Sequence, residues 1–87
     1  MSKLNLFNAV PLIVDEQLRG YEEHELNKYD VFKIVNHVFI RTDLTDNTAN
    51  RRTVKTMVNK AIDLMLNNTD QFNKILEEIE EDRIKNL

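Results

Sequence analysis

The chain has 87 residues, a length that excludes two separate folding units because a chain this short supports one hydrophobic core. Hydrophobic residues make up 41% and charged residues 31% of it, a balance that excludes a disordered or low-complexity chain. The absence of cysteine excludes disulfides, thiolate metal sites and a thiol nucleophile, and the formal net charge is −3. We therefore expect one domain over residues 1–87, with neither a cofactor nor a bound metal.

Composition also indicates the fold class. The chain has one glycine and one proline, the residues on which the repeated tight turns of a small sheet protein depend. We expect an all-α bundle of three to four helices, with a partly extended N-terminal arm at residues 1–10 and a fraying acidic tail at residues 80–87. Asparagine occurs 11 times, a bias toward AT-rich codons that indicates a low-GC bacterium, its phage or a mobile element as the source.

The N-terminal region contains both of these turn residues. Pro11 as the first helical residue and Gly20 just past the end predict a short helix near residues 11–19. The apolar side chains within residues 4–14 are too many to remain in water, so this segment is expected to dock on the helices or on a partner protein. The longest apolar run, residues 9–14, has six residues, far fewer than the ~20 needed to cross a bilayer, so we expect a cytoplasmic protein without membrane contact.

A short motif lies within the N-terminal arm. Residues 3–7 are Lys-Leu-Asn-Leu-Phe, and this segment resembles the peptide by which many bacterial proteins dock on the replication sliding clamp, with the pattern Gln-Leu-Ser/Asp-Leu-Phe. Leu4, Leu6 and Phe7 match that pattern. Lys3 stands where glutamine is usual, and Asn5 lacks the charge of aspartate. The resemblance implies a clamp-binding protein, whereas the alternative is that the same apolar residues dock on the protein's own core.

The next segment shows the apolar spacing of an amphipathic helix. On a helical wheel, one arc contains Val31, Phe32, Ile34, Val35, Val38 and Phe39. A strand is the alternative because Val, Ile and Phe favour sheets, but strict alternation fails at Val31-Phe32 and at Ile34-Val35. We predict a helix over residues 22–41, followed by a polar loop in residues 42–50 that offers several N-cap acceptors.

The clearest helical spacing in the chain follows this loop. The i, i+3, i+4, i+7 pattern is formed by Val54, Met57, Val58, Ala61, Ile62 and Met65. It predicts a helix near residues 49–66. A last helix is predicted near residues 70–85, with an apolar stripe formed by Phe72, Ile75, Leu76 and Ile79.

The connection between these two helices leaves two alternatives. Residues 67–70 are Asn-Asn-Thr-Asp, types that prefer caps and turns, and this favours a break. The apolar positions nevertheless keep a 4-3 spacing from Val54 to Ile79, with Asn68 at a seam position, and this favours one continuous coiled-coil helix. A helical hairpin and a single long helix both remain open. The seam and the apolar arm together predict a homodimer or a larger assembly.

The sequence shows no spacing of residues that is typical of a catalytic site. The only serine is Ser2, near a chain terminus, and His24 and His37 are thirteen positions apart, so they do not share a helical face as an i, i+4 metal pair would. The carboxylates of residues 22–25 and 77–82 are near neighbours in sequence and point into water rather than into a cleft. We therefore predict that the protein is not an enzyme.

Charge is distributed unevenly along the chain. Residues 41–60 carry five basic and two acidic residues, net +3, whereas residues 61–87 carry three basic and seven acidic residues, net −4. Neutralisation within the molecule or between subunits is one explanation. Another is a nucleic-acid-binding helix face that comprises Arg51, Arg52, Lys55, Thr56 and Asn59. The acidic composition disfavours that second explanation.

These patterns favour a non-catalytic protein–protein interaction module, such as a phage or mobile-element regulator, adaptor or stoichiometric inhibitor of a host protein. We expect it to bind its partner through the apolar arm and the faces of the last two helices. The candidate contact residues are Leu4, Leu6, Phe7, Arg51, Arg52, Lys55 and Asn59. Nucleic-acid binding through the basic helix face and clamp binding through residues 3–7 are the alternatives.

Overall fold

Four α-helices make up the fold of the described part of the chain. The computed structural model describes residues 4–85, apart from the side chain of Glu23, so parts of the predicted arm and tail lie outside the described residues. The elements in chain order are α1 (Leu6–Leu18), a 3₁₀ turn (Glu23–Glu25), α2 (Lys28–Arg41), α3 (Thr48–Asn67) and α4 (Thr69–Lys85). Residues 4–85 contain no strand, so the predicted all-α bundle is confirmed. None of these helices combines the length and the apolar character needed to span a membrane.

The first helix begins earlier than the sequence predicted. It starts at Leu6 rather than near residue 11, because the side chain of Asn5 accepts a hydrogen bond from the Asn8 N–H at 2.9 Å and caps the helix there. Pro11 therefore lies inside α1 and removes one helical hydrogen bond. Complete burial of Ala9 offsets this loss. Only the start of the described arm, Leu4 and Asn5, is non-helical.

The second helix begins later than predicted. Asn27 and Asp30 form a capping box, in which the Asn27 side chain accepts from the Asp30 N–H at 3.2 Å and the Asp30 carboxylate accepts from the Asn27 N–H at 3.1 Å. This pair fixes the start of α2 at Lys28 rather than at residue 22. Gly20 has a φ of 86°, a backbone conformation that glycine favours, and it lies just past the end of α1 as predicted.

The connection between α3 and α4 is a single residue. Asn68 ends α3 by donating its N–H to the Leu64 carbonyl at 2.8 Å, and its own carbonyl accepts from the Phe72 N–H at 3.1 Å. Its backbone angles, φ −146° and ψ 66°, are not helical. The helical hairpin is therefore confirmed and the continuous helix is wrong. The predicted acidic tail is helical as far as Lys85.

The first and third helices connect the bundle. They pack against each other, and each of them also packs against α2 and α4. The contiguous core is made by Ala9, Val10, Ile13, Val14, Leu18, Ile34, Val35, Val38, Val54, Val58, Ala61, Ile62 and Phe72. Twelve of these thirteen residues come from α1, α2 and α3, so α4 adds a single side chain, Phe72, to a core that the first three helices build.

Candidate functional site

An open groove of about 550 Å³ runs between α2 and α3. Seven residues line it: Lys28, Val31, Phe32, Val35, Arg51, Lys55 and Asn59. The first four belong to α2 and the last three to α3. Its volume falls within the ~300–1,000 Å³ range that is typical of ligand pockets. We refer to this feature as the α2–α3 groove.

The floor of the α2–α3 groove is apolar. Val35 is buried and Val31 is half-buried, whereas the Phe32 side chain is 57% exposed. Tyr29, on the preceding turn of α2, is 72% exposed. Two large aromatic side chains on one helix surface that remain in water are a feature of recognition surfaces, because their burial against a partner releases free energy.

The two walls of the α2–α3 groove carry positive charge. Lys28 lies on α2 and Lys55 on α3, and both are exposed. Within residues 4–85 neither lysine forms an ion pair. The groove therefore presents two cations to solvent on either side of an apolar floor, an arrangement suited to a partner that is both apolar and acidic.

Arg51 lies on the α3 wall of the groove and has a different role from the two lysines. Its Nε and Nη2 donate to the Asp46 carboxylate at 2.6 and 2.9 Å, and its Nη1 donates to Asn36 Oδ1 at 3.1 Å. The guanidinium carbon also lies 5.2 Å from the centre of the Phe39 ring. The hydrogen bonds between Arg51 and Asp46 lower the pKa of Asp46 and raise the pKa of Arg51. Arg51 therefore stiffens the groove and has part of its charge neutralised.

The structure separates Arg52 from the other three candidate residues of α3. Arg51, Lys55 and Asn59 lie on one side of α3 and line the groove together. Arg52 is exposed on α3 and does not line the groove; its backbone carbonyl accepts from the Thr56 hydroxyl at 3.0 Å. The predicted basic face thus divides into a groove wall and a separate exposed arginine.

The N-terminal candidates also divide. Leu4 and Leu6 are half-buried and pack against the core, and the Leu4 N–H donates to the Arg41 carbonyl at 3.1 Å. Phe7 is 76% exposed, the largest exposed fraction among the large hydrophobic side chains described. A peptide that offered all three side chains to a sliding clamp would have to release Leu4 and Leu6 from the core. Lys3, the first residue of that motif, lies outside the described residues.

A second surface surrounds Phe7. It is formed by Phe7 and Asn8 of α1 and by Ile75, Glu78, Ile79 and Asp82 of α4. Asn8 Nδ2 lies 3.5 Å from Asp82 Oδ2 and links the two helices. The carboxylates give this surface a negative rim around an exposed aromatic ring. We refer to it as the Phe7 surface.

Sequence reasoning missed Lys28 and Phe32. Phe32 was assigned to the buried arc of α2 with Val31 and Val35, but it lies at the edge of that arc and remains in water. The sequence did contain one signal for these residues. Lys28 and Phe32 are spaced i, i+4, which places a cation and an aromatic ring on one helix face.

One group of possible metal ligands lies in the 3₁₀ region. Glu22, His24 and Glu25 each place a ligand atom within 4.8 Å of the others, and all three are exposed. His24 Nδ1 lies 3.4 Å from a Glu22 carboxylate oxygen. Such exposed acidic groups occur commonly without a metal, and we assign no metal to this turn.

Comparison with known proteins gives no functional assignment: no protein family, curated protein or solved structure matches the chain significantly.

Proposed function

We propose that the protein is a non-catalytic interaction module that binds an acidic amphipathic helix of another protein in the α2–α3 groove. The observation that carries this proposal is the exposed Phe32 side chain in a groove that is also lined by two lysines, neither of which has an ion-pair partner within residues 4–85. A partner helix with apolar residues on one face and carboxylates beside them would satisfy both features at once.

Apolar burial and charge contribute to binding in different ways. Burial of the exposed part of Phe32, with the half-buried Val31, supplies the apolar free energy of binding. The ammonium groups of Lys28 and Lys55 attract carboxylates and fix the orientation of the partner, and because both lysines are exposed they act mainly on association rate and specificity. Arg51 holds the groove wall in place before binding, which lowers the ordering cost.

Nucleic-acid binding is the second candidate. It is favoured by Arg52 and Lys55, which are both exposed on α3, since Arg52 extends the positive region beyond the groove. It is disfavoured by the pairing of Arg51 with Asp46 and by the net charge of −3. Binding to phosphates would weaken steeply as salt is raised from about 50 to about 200 mM.

The proposal includes a cytoplasmic location and a role as regulator, adaptor or inhibitor. The cysteine-free composition is compatible with a reducing compartment, and the AT-rich codon bias supports a phage or mobile-element source. Clamp binding through residues 3–7 is retained as an alternative partner for the same module, with Phe7 as its exposed contact residue.

The test uses a synthetic helical peptide with leucine on one face and glutamate beside it. Titrated into the ¹⁵N-labelled chain, it should shift the amide signals of the groove-lining residues. Phe32→Ala and Lys55→Glu should each weaken binding about tenfold, equivalent to ~1.4 kcal/mol. Lys74→Glu is the matched control, because Lys74 is an exposed lysine on α4 outside the groove.

The control variant should bind the peptide as the wild-type chain does. Absence of binding, or shifts confined to residues outside the groove, would contradict the proposal. Tighter binding of a single- or double-stranded DNA probe to the same residues, abolished by Arg52→Ala and by salt, would favour the second candidate.

A further inference from the structure

The Phe7 surface is an apolar feature that the proposed function does not use. Its aromatic ring is 76% exposed although the side chain lies in the first turn of a helix whose next apolar residues are buried. Beside it lie Ile75, which is half-buried, and the carboxylate of Glu78. An exposed ring with carboxylates around it is the chemistry that the α2–α3 groove is suited to bind.

The two surfaces carry charges of opposite sign. Lys28 and Lys55 line the α2–α3 groove, and Glu78 lies on the Phe7 surface. None of these three side chains takes part in an ion pair within residues 4–85. A contact between the Phe7 surface of one copy and the groove of another would pair the glutamate with the lysines.

The two surfaces can be occupied at the same time. The α2–α3 groove and the Phe7 surface have no residue in common and belong to different helix pairs. A copy that places its Phe7 surface in a neighbour's groove therefore keeps its own groove accessible to a third copy.

We propose that the segment bound by the α2–α3 groove is the Phe7 surface of a second copy of this chain. Phe7 enters the groove against Phe32, and Glu78 approaches the lysines of the walls. This inference rests on the proposed function, because it names the occupant of the same groove. The contact joins unlike surfaces, so it produces head-to-tail chains or a closed ring rather than a two-fold symmetric dimer.

Two variants each remove one side of this contact. Phe7→Asp removes the aromatic ring and leaves the groove intact; Phe7 is exposed, and an acidic residue is favourable in the first turn of a helix. The double variant Lys28→Glu/Lys55→Glu reverses the charge of the groove walls and leaves the Phe7 surface intact. Lys74→Glu serves again as the control outside both surfaces.

Sedimentation velocity should distinguish the assemblies. The wild-type chain and the control should exceed twice the chain mass as concentration rises, and the assembly should dissociate at high salt. Each of the two variants alone should remain monomeric. Their equimolar mixture should form a 1:1 dimer and nothing larger, because one intact groove and one intact Phe7 surface are present and no further contact can form.

Other outcomes would overturn the inference. A wild-type chain that stays monomeric up to about 1 mM, or a dimer that Phe7→Asp leaves unchanged, contradicts it. Titration of the acidic helical peptide into the Phe7→Asp variant separates this failure from failure of the proposed function. Peptide binding by that variant, together with a monomeric wild-type chain, overturns the self-association alone. Absence of peptide binding overturns both proposals.

Discussion

The first and last helices contribute very differently to the core. The α1 helix has 13 residues and buries five of them, whereas α4 has 17 residues and buries only Phe72 and Ile79. Ile79 lies outside the contiguous core cluster, so Phe72 is the one fully integrated anchor of α4. The longer helix is thus the more weakly anchored, which shows that helix length is a poor measure of contribution to stability.

This difference also separates two kinds of surface. The exposed side of α1 carries the ring of Phe7 in its first turn, while the exposed side of α4 is mainly charged and polar, apart from Ile84 near its end. A helix attached by few apolar contacts is expected to open locally before the rest of the molecule unfolds. The predictions below test this comparison, beginning with the largest expected effect.

The most direct test removes the same side chain from each helix. Ile13→Ala in α1 should lower the free energy of unfolding by about 4 kcal/mol, because Ile13 is completely buried inside the core cluster. Ile79→Ala in α4 should cost about 2 kcal/mol, because Ile79 adjoins the open Phe7 surface, where the cavity can fill. Urea denaturation measures both values. Equal losses would show that α4 is as integrated as α1.

The second test compares neighbouring residues at the start of α1. Leu6→Ala should cost about 1–2 kcal/mol, because Leu6 is half-buried against the core. Phe7→Ala should change stability by less than about 0.5 kcal/mol, because its ring is exposed, and should impair self-association instead. Thermal unfolding, with sedimentation as the second measurement, checks the pair. A large stability loss for Phe7→Ala would place its ring in the core.

The third test concerns the caps that begin α3 and α4. Asn47→Ala should cost about 1 kcal/mol, because the Asn47 side chain accepts from the Asn50 N–H at 2.8 Å. Asn68→Ala should cost less than about 0.5 kcal/mol, because its bond from the Gln71 N–H is long, at 3.4 Å. Both values come from chemical denaturation. A larger loss of stability for Asn68→Ala than for Asn47→Ala would mean that the connection at residue 68, rather than the burial of Phe72, holds α4 against the bundle.

The smallest expected effect lies outside both helices. Because Arg51 lowers the pKa of Asp46, ionised Asp46 stabilises the folded state at pH values above its unfolded pKa of ~3.9, and this contribution is lost as the pH falls through the folded pKa. The wild-type chain should therefore lose more stability than Asp46→Asn between about pH 5 and about pH 2. Thermal melts at intervals of pH measure the difference. Identical profiles would show that the pair contributes nothing.

Much of the fold could be predicted from local patterns. The α3 helix was predicted near residues 49–66 and is observed at Thr48–Asn67, because its apolar spacing is regular and polar residues flank it on both sides. The start of α1 could not be predicted in the same way. Pro11 is typical of a first helical turn, whereas here the Asn5 cap and the tertiary burial of residues 9 and 10 extend the helix to the N-terminal side of Pro11.

The candidate site was predicted in part for a similar reason. Arg51, Lys55 and Asn59 share one helix face, so their spacing alone brings them together. The pairing of α2 with α3 across the groove is a tertiary contact, and it decides that Lys28 and Phe32 complete the site. It also pairs Arg51 with Asn36, a contact that the sequence pattern does not contain.

The single-residue joint at Asn68 has a consequence for the reach of the molecule. The apolar 4-3 spacing continues through the bend, so the hairpin depends on the contacts of α4 with α1 and α3 rather than on the connection itself. If α4 lost those contacts and residue 68 became helical, α3 and α4 would form one rod of 38 residues, about 57 Å long at ~1.5 Å per residue. The packing contacts of α4 and the dihedral angles of one residue thus distinguish the folded bundle from an extended rod.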